Sequence, residues 1–144
     1  MTQSAKMHVV SLSPLQQVVL RITLNEHFRK QCEELLATAG VGGGKAVEPT
    51  IGRFDHVFAC YQACSAGLPG PLGAKNARTK MLFLGPTAMQ YMSEAVNLYA
   101  TDRSSLETEY KDTVETALPT LRALVNISAE HEYTMEDLKA AGLQ

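Results

Sequence analysis

Apolar positions along this chain recur mostly at three- and four-residue intervals, the period of helices with one face turned inward. The first long stretch is announced by Ser13-Pro14-Leu15-Gln16. Serine at the cap can accept an orphan backbone N–H, and proline fits the first helical position. The glutamine three residues after the cap can reach back to the cap's own N–H. Gly40 supplies the left-handed residue that stops such a helix. The helix expected from Pro14 to Ala39 would span about 39 Å at 1.5 Å per residue. Its apolar residues drift. Leu15, Val18, Val19 and Ile22 face one way, whereas Leu24, Phe28, Cys32, Leu35, Leu36 and Ala39 face another. A drifting stripe implies different neighbours along the length, or a bend.

Val41 to Thr50, with Gly42-Gly43-Gly44, reads as a loop. A second helix is expected from about Gly52 to Ala66, where Phe54, Val57, Phe58, Tyr61, Cys64 and Ser65 recur at helical spacing. Gly67-Leu68-Pro69-Gly70-Pro71-Leu72-Gly73 ends it, since no regular element survives that density of proline and glycine. The basic residues Lys75, Arg78 and Lys80 follow, then the apolar run Met81-Leu82-Phe83-Leu84. Gly85-Pro86 opens a third helix with Met89, Met92, Val96 and Tyr99 on its buried face. A capping box at Ser104-Ser105-Leu106-Glu107 starts a fourth, which Pro119 is expected to kink or divide and which resumes from Leu121 to Ile127. A short last helix fits Met135 to Ala141, capped by Thr134 and closed by Gly142. His8-Val9-Val10 is the one weak strand candidate, and no repeat at a fixed period stands out.

The expectation is an all-α fold of four to six helices in one compact or partly extended bundle over residues 1–144. It has an N-terminal arm at 1–12 and a Gly/Pro-rich, basic loop at 67–80, between the second and third helices. A chain of 144 residues, 45% hydrophobic and 19% charged, is long enough to bury an ordinary core.

Charge and cysteine content narrow the function classes. The net charge of −2 is the sum of a mildly basic first two-thirds and an acidic end. Neither part has the clustered cations of a nucleic-acid footprint. Three cysteines, Cys32, Cys60 and Cys64, are an odd count that argues for reduced thiols and an intracellular setting, cytoplasmic or organellar, with mitochondria among the options. The N-terminus has neither the apolar core nor the cleavage site of a signal peptide. The most apolar stretch, Val9 to Leu24, is interrupted by Pro14, Gln16, Gln17 and Arg21 and is too short to span a membrane.

Candidate chemistry is sparse. Gly44-Lys45 lacks the following Ser/Thr and the first glycine of a phosphate-binding loop, and it follows the anion-repelling end of a helix. His56, Cys60 and Cys64 form a slanting stripe of metal-ligand types on one helix. Zinc wants about four ligands from more than one element, so plain packing is the simpler account. Paired Glu-x-x-His motifs for a di-iron bundle are missing, as is a Gly-x-Ser-x-Gly nucleophile elbow. Lys75, Arg78 and Lys80, with Met81 and Phe83, are the candidate interaction residues: cations beside adaptable apolar side chains. The function expected is that of a non-catalytic helical accessory or scaffold subunit, without cofactor, nucleic acid or membrane span. Its partners would be other protein subunits, compatible with peripheral contact to a membrane complex. The alternative is a helical bundle that binds an apolar ligand, a metal or a haem-type cofactor.

Overall fold

The computed structural model describes residues 6–42, 47–69, 78–101 and 111–142, with backbone alone at 38–42 and 47–51. It is mostly helical, but not all-α. The element order is β1 (Lys6–Leu12), α1 (Pro14–Gly42), α2 (Val47–Ser65), β2 (Lys80–Leu84), α3 (Pro86–Thr101), α4 (Lys111–Glu130), β3 (Tyr133–Thr134) and α5 (Met135–Ala140). The strands form one antiparallel sheet in the order β2-β1-β3.

Two segments read as arm and loop are therefore strands. Residues 6–12 belong to β1 rather than to an N-terminal arm, and the apolar run 81–84 is part of β2, which also takes in Lys80 from the end of the expected loop. Their alternation is decisive: Val10, Leu12, Leu82 and Leu84 are buried, while Ser11, Met81 and Phe83 point outward. Each run is too short for its period to tell strand from helix, and only pairing with a distant partner stabilises it. The rest of the 67–80 loop, at 70–77, lies outside the described residues, as does the capping box at Ser104.

The helical expectations hold with shifted limits. The capping box of α1 is formed: Ser13 N–H donates to Gln16 Oε1 (2.9 Å) and Gln16 N–H to Ser13 Oγ (3.2 Å). Val41 and Gly42 continue α1, and Val47 to Thr50 already belong to α2, so the expected loop is shorter than its glycines suggested. α4 runs through Pro119 undivided. The hydroxyls of Thr116 and Thr120 donate to the carbonyls of Asp112 and Ala117 in the turns around it. Thr134 caps α5 in a complete capping box with Asp137, and Gly142 follows with φ +73°.

One face of the sheet is covered by helices. α1 packs against α2, α3 and α4 in turn, which accounts for its drifting apolar stripe. The core joins Val10, Leu12, Leu82 and Leu84 of the sheet to Leu20, Leu24, Met89, Met92, Val96, Val114, Leu121 and Val125 of the helices.

This arrangement contains an internal equivalence that the residue identities conceal. Strand, short link, proline and helix recur as β1-Ser13-Pro14-α1 and β2-Gly85-Pro86-α3, and Pro14 and Pro86 stand 72 positions apart. At the same offset, Val10 and Leu82 face each other across the β1–β2 ladder, so they mark the centre of a two-fold-like relation. Leu12/Leu84, Leu20/Met92, Thr23/Ala95 and Leu24/Val96 are buried pairs at that offset. Packing follows the same exchange: α1 rests on α4 as α3 rests on α2. Among the described residues, two β-α-α units thus share one strand pair, and β3 and α5 follow the second.

Leu121 is fully buried between the helices and the sheet. Leu121→Ala is expected to cost about 2–5 kcal/mol through the cavity it leaves, read as a lower urea midpoint with an unchanged slope.

Candidate functional site

The residues singled out by spacing do not converge. His56 is exposed on α2, with its Nε2 3.9 Å from Cys60 Sγ. Cys64 is fully buried, and its thiol donates to the Ala88 carbonyl at 3.2 Å. Burial pushes the Cys64 thiol up to about 12 and raises Cys60 and Cys32 as well, so all three are held as neutral thiols rather than as the thiolates a metal selects. Among the described residues, no three His, Cys, Asp or Glu side chains gather as a metal would require. Cys64 in particular is a packing residue.

The basic trio is dispersed too. Lys75 lies outside the described residues. Arg78 is exposed, and its carbonyl accepts from Gln17 Nε2 at 2.5 Å. Lys80 starts β2 and donates from Nζ to the Ala66 carbonyl at 3.2 Å, just past the end of α2. Met81 and Phe83 stand on the outer face of the sheet, 37% and 39% exposed. Val9 is opposite Phe83, and Met7 is opposite the exposed Tyr133, so these five side chains give the uncovered face an apolar surface. A second apolar surface lies where α1 meets α2. There Phe28 packs on Phe54, Phe58 and Tyr61, with ring centroids 4.6–6.1 Å apart.

Two concavities escaped the sequence reading. The larger, a cleft of about 500 Å³, lies between β1, α3 and the end of α4, and is lined by His8, Gln90, Ser93, Glu94 and Glu132 among others. His8 is almost completely buried, and its Nδ1 donates to the Ser128 carbonyl at 3.0 Å. The smaller, about 170 Å³, lies between α1 and α3 and includes His27 and Tyr99, themselves equivalent at the 72-residue offset. His27 Nε2 is buried without a hydrogen-bond partner, and its ring tilts against Tyr91 at 5.1 Å. Burial lowers its pKa below the ordinary 6.5, against the opposing pull of Glu94 and Glu34. Tyr91 donates its hydroxyl to Gln31 Oε1 (2.7 Å), and burial raises its pKa.

No family model, curated protein or solved structure matches this chain. Its residues are therefore the whole basis for a functional reading. Among the described residues, no helix is long and apolar enough to cross a membrane. The residues missed by spacing come from β1 (His8), α3 (Ser93 and Glu94) and the link between α4 and β3 (Glu132), and the pairing of Pro14 with Pro86 is the signal that bears on the first two segments.

Two outcomes test this electrostatic description. A disulfide reagent applied to the native protein at neutral pH is expected to label the half-buried Cys32 first, with Cys64 reacting only on unfolding. Rapid native labelling of Cys64 contradicts the packing described. For His27 the sign is set by its lowered folded value: below about 6.5 the unfolded chain takes up the proton first, so stability is lost as pH falls toward the folded value. His27→Gln is expected to flatten the stability difference between pH 7.5 and pH 5.5 relative to the wild type.

Proposed function

We propose that this chain is a non-catalytic accessory subunit that acts by packing against a partner protein through the outer face of its sheet. The carrying observation is the outward row of Met81 and Phe83 on β2, flanked by Val9, Met7 and Tyr133. A folded chain has strong reason to cover such a contiguous apolar face, whereas scattered apolar side chains need no explanation. β2 is also an edge strand among the described residues, so its outer backbone groups remain available for pairing. A partner that lays an extended segment along β2 would satisfy those groups and cover Met81 and Phe83 at once.

The metal or haem-type alternative has no observation in its favour: the stripe His56, Cys60, Cys64 presents an exposed imidazole and two buried neutral thiols. An apolar-ligand site is not favoured either, because the larger cleft mixes Pro86, Met89 and Ala129 with His8, Gln90, Glu94 and Glu132, and the smaller has only about 170 Å³.

The reading is tested by purifying the tagged chain from its native source and comparing it with the double variant Met81→Ser, Phe83→Ser. Both side chains are partly exposed, so the variant is expected to keep its circular dichroism and thermal midpoint. It is expected to lose a stoichiometric partner by about tenfold or more in affinity. Retention of the same partner at unchanged affinity would overturn the assignment of this face.

A further inference from the structure

The two halves treat the ends of their second helices differently, and the difference leaves a vacancy with a definite chemical shape. In the first half, two cations donate to carbonyls that lie just past the C-terminus of α2. Lys80 Nζ donates to the Ala66 carbonyl at 3.2 Å, and Arg21 Nη1 donates to the Leu68 carbonyl at 3.0 Å. Carbonyls at a helix C-terminus carry the negative end of its dipole, so this is where cations stabilise it.

The offset of 72 maps Lys80 onto His8 and Arg21 onto Ser93. His8 keeps its role, donating from Nδ1 to the Ser128 carbonyl in the last turn of α4. Ser93 cannot reach as Arg21 does. The cleft of about 500 Å³ lies at this position, bordered by His8, Gln90, Ser93, Glu94 and Glu132. Where the first half carries a guanidinium, the second carries space beside two carboxylates.

Two further observations give that space a preference. His8 is only 4% exposed, and its Nδ1 proton is committed to a carbonyl. In the neutral ring, Nε2 is therefore an acceptor, and it has no partner among the described residues. Glu94 likewise forms no ion pair among them, while Glu132 is held by a 3.3 Å, solvent-exposed pair with Lys6 at the rim. The wall thus offers acceptors and negative charge.

We infer that the cleft between β1, α3 and the end of α4 binds a guanidinium group, which takes the place that Arg21 fills in the other half. The ligand is either a small guanidino compound or an arginine side chain presented by another polypeptide. The planar fork of either presents several N–H groups side by side to the wall that carries Glu94 and His8, a spread that a compact ammonium matches less well. The site is separate from the outer sheet face and does not depend on the partner proposed there.

The test is a heteronuclear NMR titration of the intact chain with methylguanidinium chloride, with methylammonium chloride as control, and with a peptide carrying one internal arginine. The expected result is saturable shifts at His8, Ser93 and Glu94 in the millimolar range, with methylammonium about tenfold weaker. If the peptide saturates the site more tightly than methylguanidinium, a polypeptide arginine is the source; if only methylguanidinium binds, a small guanidino compound is. Ser93→Arg, which places a guanidinium where Arg21 stands in the other half, is expected to abolish the titration and raise the thermal midpoint. Glu94→Gln, exposed and therefore safe for folding, is expected to weaken binding about fivefold to tenfold. Equal binding of methylammonium, no saturable shift with either guanidinium probe, or unchanged affinity in Glu94→Gln would each overturn the inference.

Discussion

The antiparallel ladder between β1 and β2 is the constraint on which the rest of the molecule depends. It joins residues far apart in sequence, from His8 opposite Leu84 to Leu12 opposite Lys80, and so fixes where α1 and α3 begin. Each strand runs into a proline-initiated helix within two residues. The twist and register of the ladder therefore set how those helices cross, and α2 and α4 close over them. A one-residue slip of either strand against the other would turn that strand's apolar pair, Val10 and Leu12 or Leu82 and Leu84, out of the core.

Helices were the legible part of the sequence because their signals are local. The Ser13–Gln16 box and the Thr134 cap, each made between residues three apart, form as expected, the latter as a full box with Asp137. The sheet was legible only as a hint at His8-Val9-Val10, since Met81-Leu82-Phe83-Leu84 becomes a strand through a partner some seventy residues away. Pro119 does not divide α4: its local cost is real, but the packed helix on both sides keeps the element continuous. The candidate site was largely hidden. His56, Cys60 and Cys64 share a spacing without sharing a destination, whereas His8 and Glu94 share a cleft without any spacing to announce it.

Equivalent frameworks with unequal contents are a common way for a chain to keep stability while freeing a surface. In the first half, Arg21 and Lys80 close the end of α2 with the protein's own charges. In the second, His8 and His131 donate to the Ser128 and Ile127 carbonyls at the end of α4, and no guanidinium stands among the described residues lining the cleft beside them. Similarly, the helical side of the sheet carries the core, which leaves the outer side able to present Met81 and Phe83 without weakening what holds the fold together.

The wide separation of the paired strands has a consequence for how the molecule comes into being. During synthesis, β1 and the apolar flank of α1 emerge long before β2 exists to pair with them, so most native contacts of the first half wait on the second. Such distant closures raise contact order and slow folding, and they leave a greasy strand edge uncovered on the nascent chain. The nascent chain thus keeps apolar surface open for longer than a purely local helical bundle of the same length would.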